Sequence, residues 1–264
     1  MKLEKKRKFF KNTLYSKTDI YYRKAKEEGF RARSAYKLLQ INDEFNLFQN
    51  VVRAVDLCAA PGSWSQVLAN QLYGEEVPEG ERSKQAQVRV VSVDLQEMAP
   101  IDGVGIVQGD ITRNETLQQV LAVFQGQQAD LVVSDGAPDV TGLHEIDQYL
   151  QAQLLHAALI FTCCMLREGG SFCAKFFKSS DLSYLYVMMK QVFKNVYVVK
   201  PQSSRASSAE AFVVGLGFLG EKAKFGALSD SIKTMKAPSG GAGSSEGKKE
   251  EEKEEEEEED RLTF

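Results

Sequence analysis

Asp56-Leu57-Cys58-Ala59-Ala60-Pro61-Gly62-Ser63-Trp64-Ser65-Gln66 follows directly on Val51–Leu57, a short run rich in β-branched and apolar residues. A strand that runs into small residues, a Pro-Gly pair and then a helical pattern is a strand-to-helix turn. There the backbone bends tightly and comes close to a ligand. The loop is not G-x-G-x-x-G. A dinucleotide pyrophosphate uses that glycine triplet at a helix N-terminus. This loop therefore suits a ligand without a diphosphate and disfavours a nicotinamide-dependent oxidoreductase. Read alone, it is also compatible with an ordinary tight turn.

Outward from this loop, short β-branched runs alternate with longer stretches of helical periodicity, the pattern of βαβ units. Strands are expected at Val51–Leu57, Val88–Asp94, Val104–Gln108, Leu131–Asp135, Ser171–Phe177, Val192–Val199 and Ala211–Leu216. Helices fit at Ser63–Leu72, Glu115–Phe124, Glu145–Arg167 and Ser183–Lys190, with one continuous opening helix at about Asp19–Leu39. The fold class is α/β: a Rossmann-like, seven-stranded, mostly parallel sheet with helices on both faces, binding ligands at the carboxyl ends of its strands. A chain of 264 residues with 43% hydrophobic side chains suffices for one such domain and leaves little for a second. The expected division is a basic extension at 1–18, the catalytic domain at 19–220, and a linker with a disordered acidic tail at 221–264. Residues 75–87 read as a polar surface loop.

Charge is unevenly placed. The formal net charge is −4, yet residues 246–264 hold eleven acidic and four basic side chains, which leaves the remainder positive. Thirteen Lys and Arg against four Asp and Glu fall within residues 1–37, so phosphate contacts are expected there. Lys17, Arg23, Lys24, Lys26, Arg31 and Arg33 would form a basic strip, with Tyr21, Tyr22 and Phe30 available to stack on unpaired bases. The alternative is a solvated helix whose aromatic residues pack on the sheet. Cys58, Cys163, Cys164 and Cys173 lie in apolar stretches without metal-ligand spacing, so no metal is expected and they read as reduced core residues. No apolar run is long enough for a membrane span. A soluble, cytoplasmic protein is the expectation.

Three aspartates, Asp94, Asp110 and Asp135, end three successive strands and would line one crevice. Asp94 is placed to accept from a ribose, and Asp110 from an adenine amino group unless it merely caps a helix. Together they suit an adenosine carrying a cationic sulfonium. Lys175 stands out in Ser171-Phe172-Cys173-Ala174-Lys175-Phe176-Phe177, a run apolar on both faces and typical of a buried parallel strand. A lysine there is costly unless paired or functional. To take a proton it must be neutral at that moment. Burial and a second ammonium favour the neutral form, and carboxylates oppose it.

Lys37 in Arg31-Ala32-Arg33-Ser34-Ala35-Tyr36-Lys37, Asp135 in Ser134-Asp135-Gly136-Ala137-Pro138-Asp139, Lys175 in Ala174-Lys175-Phe176-Phe177, and Glu210 in Arg205-Ala206-Ser207-Ser208-Ala209-Glu210 resemble the Lys-Asp-Lys-Glu tetrad of the FtsJ/RrmJ ribose 2′-O-methyltransferases. The resemblance runs from about Asp19 to Leu216 and looks most like the eukaryotic branch that methylates the tRNA anticodon loop. It implies an S-adenosylmethionine-dependent methyltransferase fold. It also implies Lys175 as general base, with Lys37, Asp135 and Glu210 setting its protonation and orienting the ribose. Gly62, Trp64, Asp94, Asp110 and Asp135 would bind S-adenosylmethionine. The implied partners are tRNA and two helper subunits, an armadillo-like protein for nucleotide 32 and a WD40 propeller for nucleotide 34. The alternatives are a ribosomal RNA 2′-O-methyltransferase and a catalytically silent RNA-binding module on the same fold.

Overall fold

The computed structural model describes residues 20–138, 141–178, 182–205 and 207–237. The basic extension, Lys17 and the acidic tail lie outside them. Seven strands form one sheet: β1 (Ala54–Leu57), β2 (Val90–Asp94), β3 (Val104–Gln108), β4 (Ala129–Ser134), β5 (Leu166–Phe177), β6 (Phe193–Val199) and β7 (Glu210–Phe218). Their order is β3-β2-β1-β4-β5-β7-β6, with β7 antiparallel to both of its neighbours and the other pairings parallel. This is the α/β, mostly parallel sheet expected from the alternating pattern. The direction of strand order reverses between β1 and β4, which opens a crevice at their carboxyl ends.

Two helices precede β1. The first, α1, spans residues 20–27, and α2 spans Ala35–Phe45. The single opening helix expected at Asp19–Leu39 is therefore broken. Gly29 takes φ +75°, and the Phe30 amide donates to the Ala25 carbonyl at 2.8 Å, the closure of a helix ending on a left-handed glycine. The chain then runs irregularly through 30–34 before α2 starts. This break is what lets residues 29–34 lie beside the loop after β1.

One face of the sheet is covered by α2 and α3 (Ser63–Tyr73), which bury Ala35, Leu38, Ile41, Trp64, Val67 and Leu68. The other is covered by α4 (Asn114–Val123), α5 (His144–Met165), α6 (Leu182–Val192) and α7 (Ser229–Lys236). Fully buried Trp64, Phe161, Phe172, Phe193 and Phe212 each contribute about 1.5–3 kcal/mol of apolar burial. Residues 221–236 are not a linker: α7 packs on α4 and α5 and buries Ile232 and Met235, so the folded body extends past 220. The loop at 75–87 is tied down as well. Asp102 accepts from the Gly80, Arg82 and Ser83 amides at 2.6–3.1 Å.

Candidate active site

Each residue of the expected tetrad comes from a different element. Lys37 lies on α2, Asp135 directly follows β4, Lys175 is inside β5 and Glu210 opens β7. The antiparallel register sets Phe177 opposite Glu210 and Lys175 opposite Phe212. Paired residues point to the same side, so Lys175, Glu210 and Phe212 share the sheet face under α2. There Lys37 Nζ donates to Glu210 Oε2 at 3.0 Å and stands 3.8 Å from Asp135 Oδ1 and 5.7 Å from the Phe212 ring centroid. Lys175 Nζ donates to the Asp135 carbonyl at 2.5 Å and pairs with Asp135 Oδ1 at 3.2 Å. That oxygen has no partner in hydrogen-bond geometry, so both lysines hold it as an ion pair only. The lysines are 7% and 9% exposed, buried but within reach of a ligand at the surface. Burial would raise the Glu210 pKa, but the charge and hydrogen bond of Lys37 outweigh it, aided by Ser204 and Lys175. Glu210 is held below the usual range and stays ionised at neutral pH.

Asp135 also lines a cleft of about 2210 Å³ with Cys58, Ala60, Pro61, Asp94 and Asp110. The loop after β1 shapes its floor. Cys58 takes φ +55°, the Ala60–Pro61 peptide is cis and Gly62 takes φ +104°. Asp94 Oδ2 accepts the Ala60 amide at 2.8 Å and Oδ1 accepts the Gln96 amide at 2.8 Å, so this carboxylate braces the loop as well as facing the cleft. Asp110 Oδ1 accepts the Thr112 amide and hydroxyl at 2.8 and 2.7 Å, and its Oδ2 receives no hydrogen bond from the described residues. The helix-cap alternative for Asp110 does not hold, since Arg113 is the N-cap of α4 and Asp110 instead closes the turn before it.

Gly62 and Trp64, also expected at the cofactor, are packed closely against protein. The Trp64 indole is buried against Phe212, with ring centroids 5.7 Å apart, and its Nε1 donates to the Ser34 carbonyl at 2.8 Å. Gly62 is approached closely by protein: a Cβ there would stand 2.8 Å from Ile101 Cδ1 and 2.9 Å from Arg31 Nη1. The basic strip is also corrected. Tyr21 and Phe30 pack on Tyr36 at 5.3 and 6.0 Å, leaving Tyr22, 51% exposed under Lys26, for stacking. Cys58 partly faces the cleft, while the other three cysteines are buried, and all four are free. Among the described residues no His, Cys, Asp and Glu cluster could hold a metal, and no helix is long and apolar enough to cross a membrane.

Gln151 was not singled out from sequence. It is 2% exposed on α5, and its Nε2 donates to the Gly136 carbonyl at 3.2 Å and the Lys175 carbonyl at 3.1 Å, joining the backbones that carry Asp135 and Lys175. The readable signal was its spacing: it falls four and seven residues before the buried Leu155 and Ala158, a polar residue on an apolar stripe.

Residues 30–218 match the family model of FtsJ-like methyltransferases. The chain belongs to the FtsJ-like methyltransferase family. It is 55% identical over 198 residues to the tRNA (cytidine(32)/guanosine(34)-2′-O)-methyltransferase of Schizosaccharomyces pombe, spanning 75% of this chain and 69% of that protein. The human protein of the same name is 54% identical over 206 residues, spanning 78% of this chain and 60% of its own length. The ribosomal RNA large subunit methyltransferase E of Methanothrix thermoacetophila is more distant, 43% identical over 212 residues, 80% of this chain and 77% of that one. A Plasmodium falciparum crystal structure assigned as a ribosomal RNA methyltransferase superposes with a TM-score of 0.60 at 25% identity. It covers 72% of this chain and 100% of its own. The matched span of this FtsJ-like chain contains the whole sheet and Lys37, Asp135, Lys175 and Glu210.

Proposed function

We propose that this chain is an S-adenosylmethionine-dependent tRNA ribose 2′-O-methyltransferase acting on nucleotides 32 and 34 of the anticodon loop. The single observation that carries the chemistry is the cluster of Lys37, Asp135, Lys175 and Glu210 at the edge of the aspartate-lined cleft. The substrate reading is supported by the names of the Schizosaccharomyces pombe and human relatives.

The cleft fits the cofactor by the chemistry of its donors. Asp94 and Asp110 would hold the adenosine and Asp135 the cationic end, with the backbone at Gly62 and Trp64 closing the loop beneath. Bound S-adenosylmethionine supplies an electrophilic methyl group on a sulfonium. Lys175 takes the proton of the ribose 2′-hydroxyl on Nζ. The Asp135 carbonyl accepts from Lys175 Nζ and the Asp135 carboxylate attracts it from 3.2 Å, so the nitrogen is held in one place to meet the hydroxyl. Lys37 stands between Glu210, Asp135 and the Phe212 ring face and links the two carboxylates of the cluster. Fixing the acceptor against the methyl donor supplies much of the rate.

The RNA enters over α1 and α2, where exposed Lys24 and Lys26 meet phosphates and Tyr22 stacks. Arg33, whose Nη1 is buried without a partner, adds a donor beside Glu210. So small a basic surface does not select one nucleotide, and an armadillo-like and a WD40 helper subunit, in a cytoplasmic complex, would direct it. The test is a ribose-methylation map of tRNA and ribosomal RNA in cells with and without the protein, with rescue by wild type or Lys175→Ala. Loss confined to positions 32 and 34, restored by wild type alone, is expected. Loss in ribosomal RNA would transfer the reading to the activity named for the Methanothrix relative, and no loss anywhere would favour a silent binding module.

A further inference from the structure

Charge counting places Arg31 among the phosphate contacts, but its guanidinium is already committed. Nη1 donates to the carbonyls of Pro61 at 2.9 Å and Ala99 at 2.8 Å, and Nη2 donates to that of Pro100 at 2.8 Å. These carbonyls belong to two loops of the cleft wall, one after β1 and one after β2, and both Pro61 and Ala99 line the cleft. Three carbonyl dipoles converging on one point repel each other unless a cation stands between them, and a planar fork with several fixed donors suits that task.

The space for this fork is built into the loop. At Gly62 a Cβ would stand 2.9 Å from Arg31 Nη1, so the missing side chain makes room for the guanidinium. The backbone of Arg31 is fixed too. Its amide donates to Gln66 Oε1 at 2.8 Å, while Gln66 Nε2 donates to the Gly29 carbonyl at 3.0 Å, so one α3 side chain grips both sides of the turn that ends α1. Ser34 Oγ and Ser63 Oγ, 2.7 Å apart, and the bond from Trp64 to Ser34 complete a seam between residues 29–34 and the first turn of α3.

We propose that Arg31 is a positioning residue for the cofactor loops, holding the segments 61–62 and 99–100 in their binding shape, and not a contact to RNA phosphate. This rests on the reading of the cleft as the S-adenosylmethionine site. The seam also ties the segment leading into Lys37 to the loop under the methyl donor, so the two substrates are positioned by one connected piece of backbone.

The experiment uses the full-length chain and its Arg31→Gln and Arg31→Lys variants. S-adenosylmethionine affinity is measured by calorimetry, bulk tRNA affinity across a salt series, and folding by circular dichroism. Both variants are expected to lose about tenfold or more in S-adenosylmethionine affinity, with tRNA affinity and its salt slope unchanged. Lysine keeps the charge and would preserve a phosphate contact, so cofactor loss in Arg31→Lys isolates the fork, and this variant decides the matter if Arg31→Gln does not fold. A salt slope reduced by about one in Arg31→Gln would mark a phosphate contact and overturn the proposal. Wild-type cofactor affinity in both variants would overturn it as well. A wild-type chain that binds no S-adenosylmethionine would instead refute the cofactor reading, a separate result.

Discussion

Lys175 and Asp56 are buried charges on neighbouring parts of the sheet with opposite fates. Lys175 is held at the edge of the cleft by Asp135, and replacing it with Ala removes the proposed base while sparing every cleft-lining side chain. Lys175→Ala should lower single-turnover methyl transfer by at least about a hundredfold and leave S-adenosylmethionine affinity within about twofold. Normal transfer would remove Lys175 as the base. Asp56 has no such outlet. It lies fully buried on β1, where Ser65 Oγ donates to its Oδ2 at 2.6 Å and Ser92 Oγ in turn donates to Ser65 at 2.6 Å. Burial pushes its pKa up to about 7 against the Ser65 hydrogen bonds that lower it. Because the folded value is raised, its contribution to stability is complete at acid pH and is lost as pH rises from about 4 through about 7, on the order of 4 kcal/mol in all. Asp56→Asn should shrink the difference in melting temperature between pH 5 and pH 8, and an unchanged difference would show that Asp56 ionises freely in the fold. The tetrad was legible because a lysine in a doubly apolar strand is chemically out of place. Arg31 was misjudged because residue type reports charge, while its employment depends on carbonyls about 30 and 70 positions away.

At the level of elements, the strands and most helices were readable from their periods, and the differences lie at boundaries and in short pieces. Helical spacing continued through Asp19–Leu39, but a period does not register one residue at positive φ, and Gly29 ends α1. The helix α7 is only eight residues long and mostly polar, so composition placed it with the linker. Its two buried residues, Ile232 and Met235, are three apart on the short helix that packs on α4 and α5. Ile232→Ala should destabilise the protein by about 2–4 kcal/mol in urea titration. A chain ending at residue 220 should melt several degrees below one ending at residue 237, and equal melting temperatures would show that α7 adds nothing to the core.

Across the whole molecule, the basic surface proposed to meet RNA lies apart from the apolar surface that holds the fold. Lys24 and Lys26 are exposed on α1, their ammonium groups 5.9 Å from the Tyr36 ring centroid and 4.9 Å from that of Tyr22. The double change Lys24→Glu and Lys26→Glu should weaken tRNA binding and reduce the salt slope by about two, with S-adenosylmethionine affinity and melting temperature unchanged. An unaltered slope would place the RNA on another face. Topology was the least legible part of this scale. Nothing in the run Ala211–Leu216 announces that the last strand enters between β5 and β6, because the position of a strand in a sheet is set by which edge remains open when it arrives. That insertion sets a timetable for a chain made from its N-terminus. Asp56, Asp94, Asp110 and Asp135 all leave the ribosome with the first half of the sheet, but Glu210 comes only with β7, the last strand made and the one that seals the gap beside Lys175. The cleft wall keeps the same late schedule, since Asp230, Ser231, Thr234 and Met235 line it from beyond β7, so synthesis must run past α7 before either the cluster or the wall of the cleft is whole.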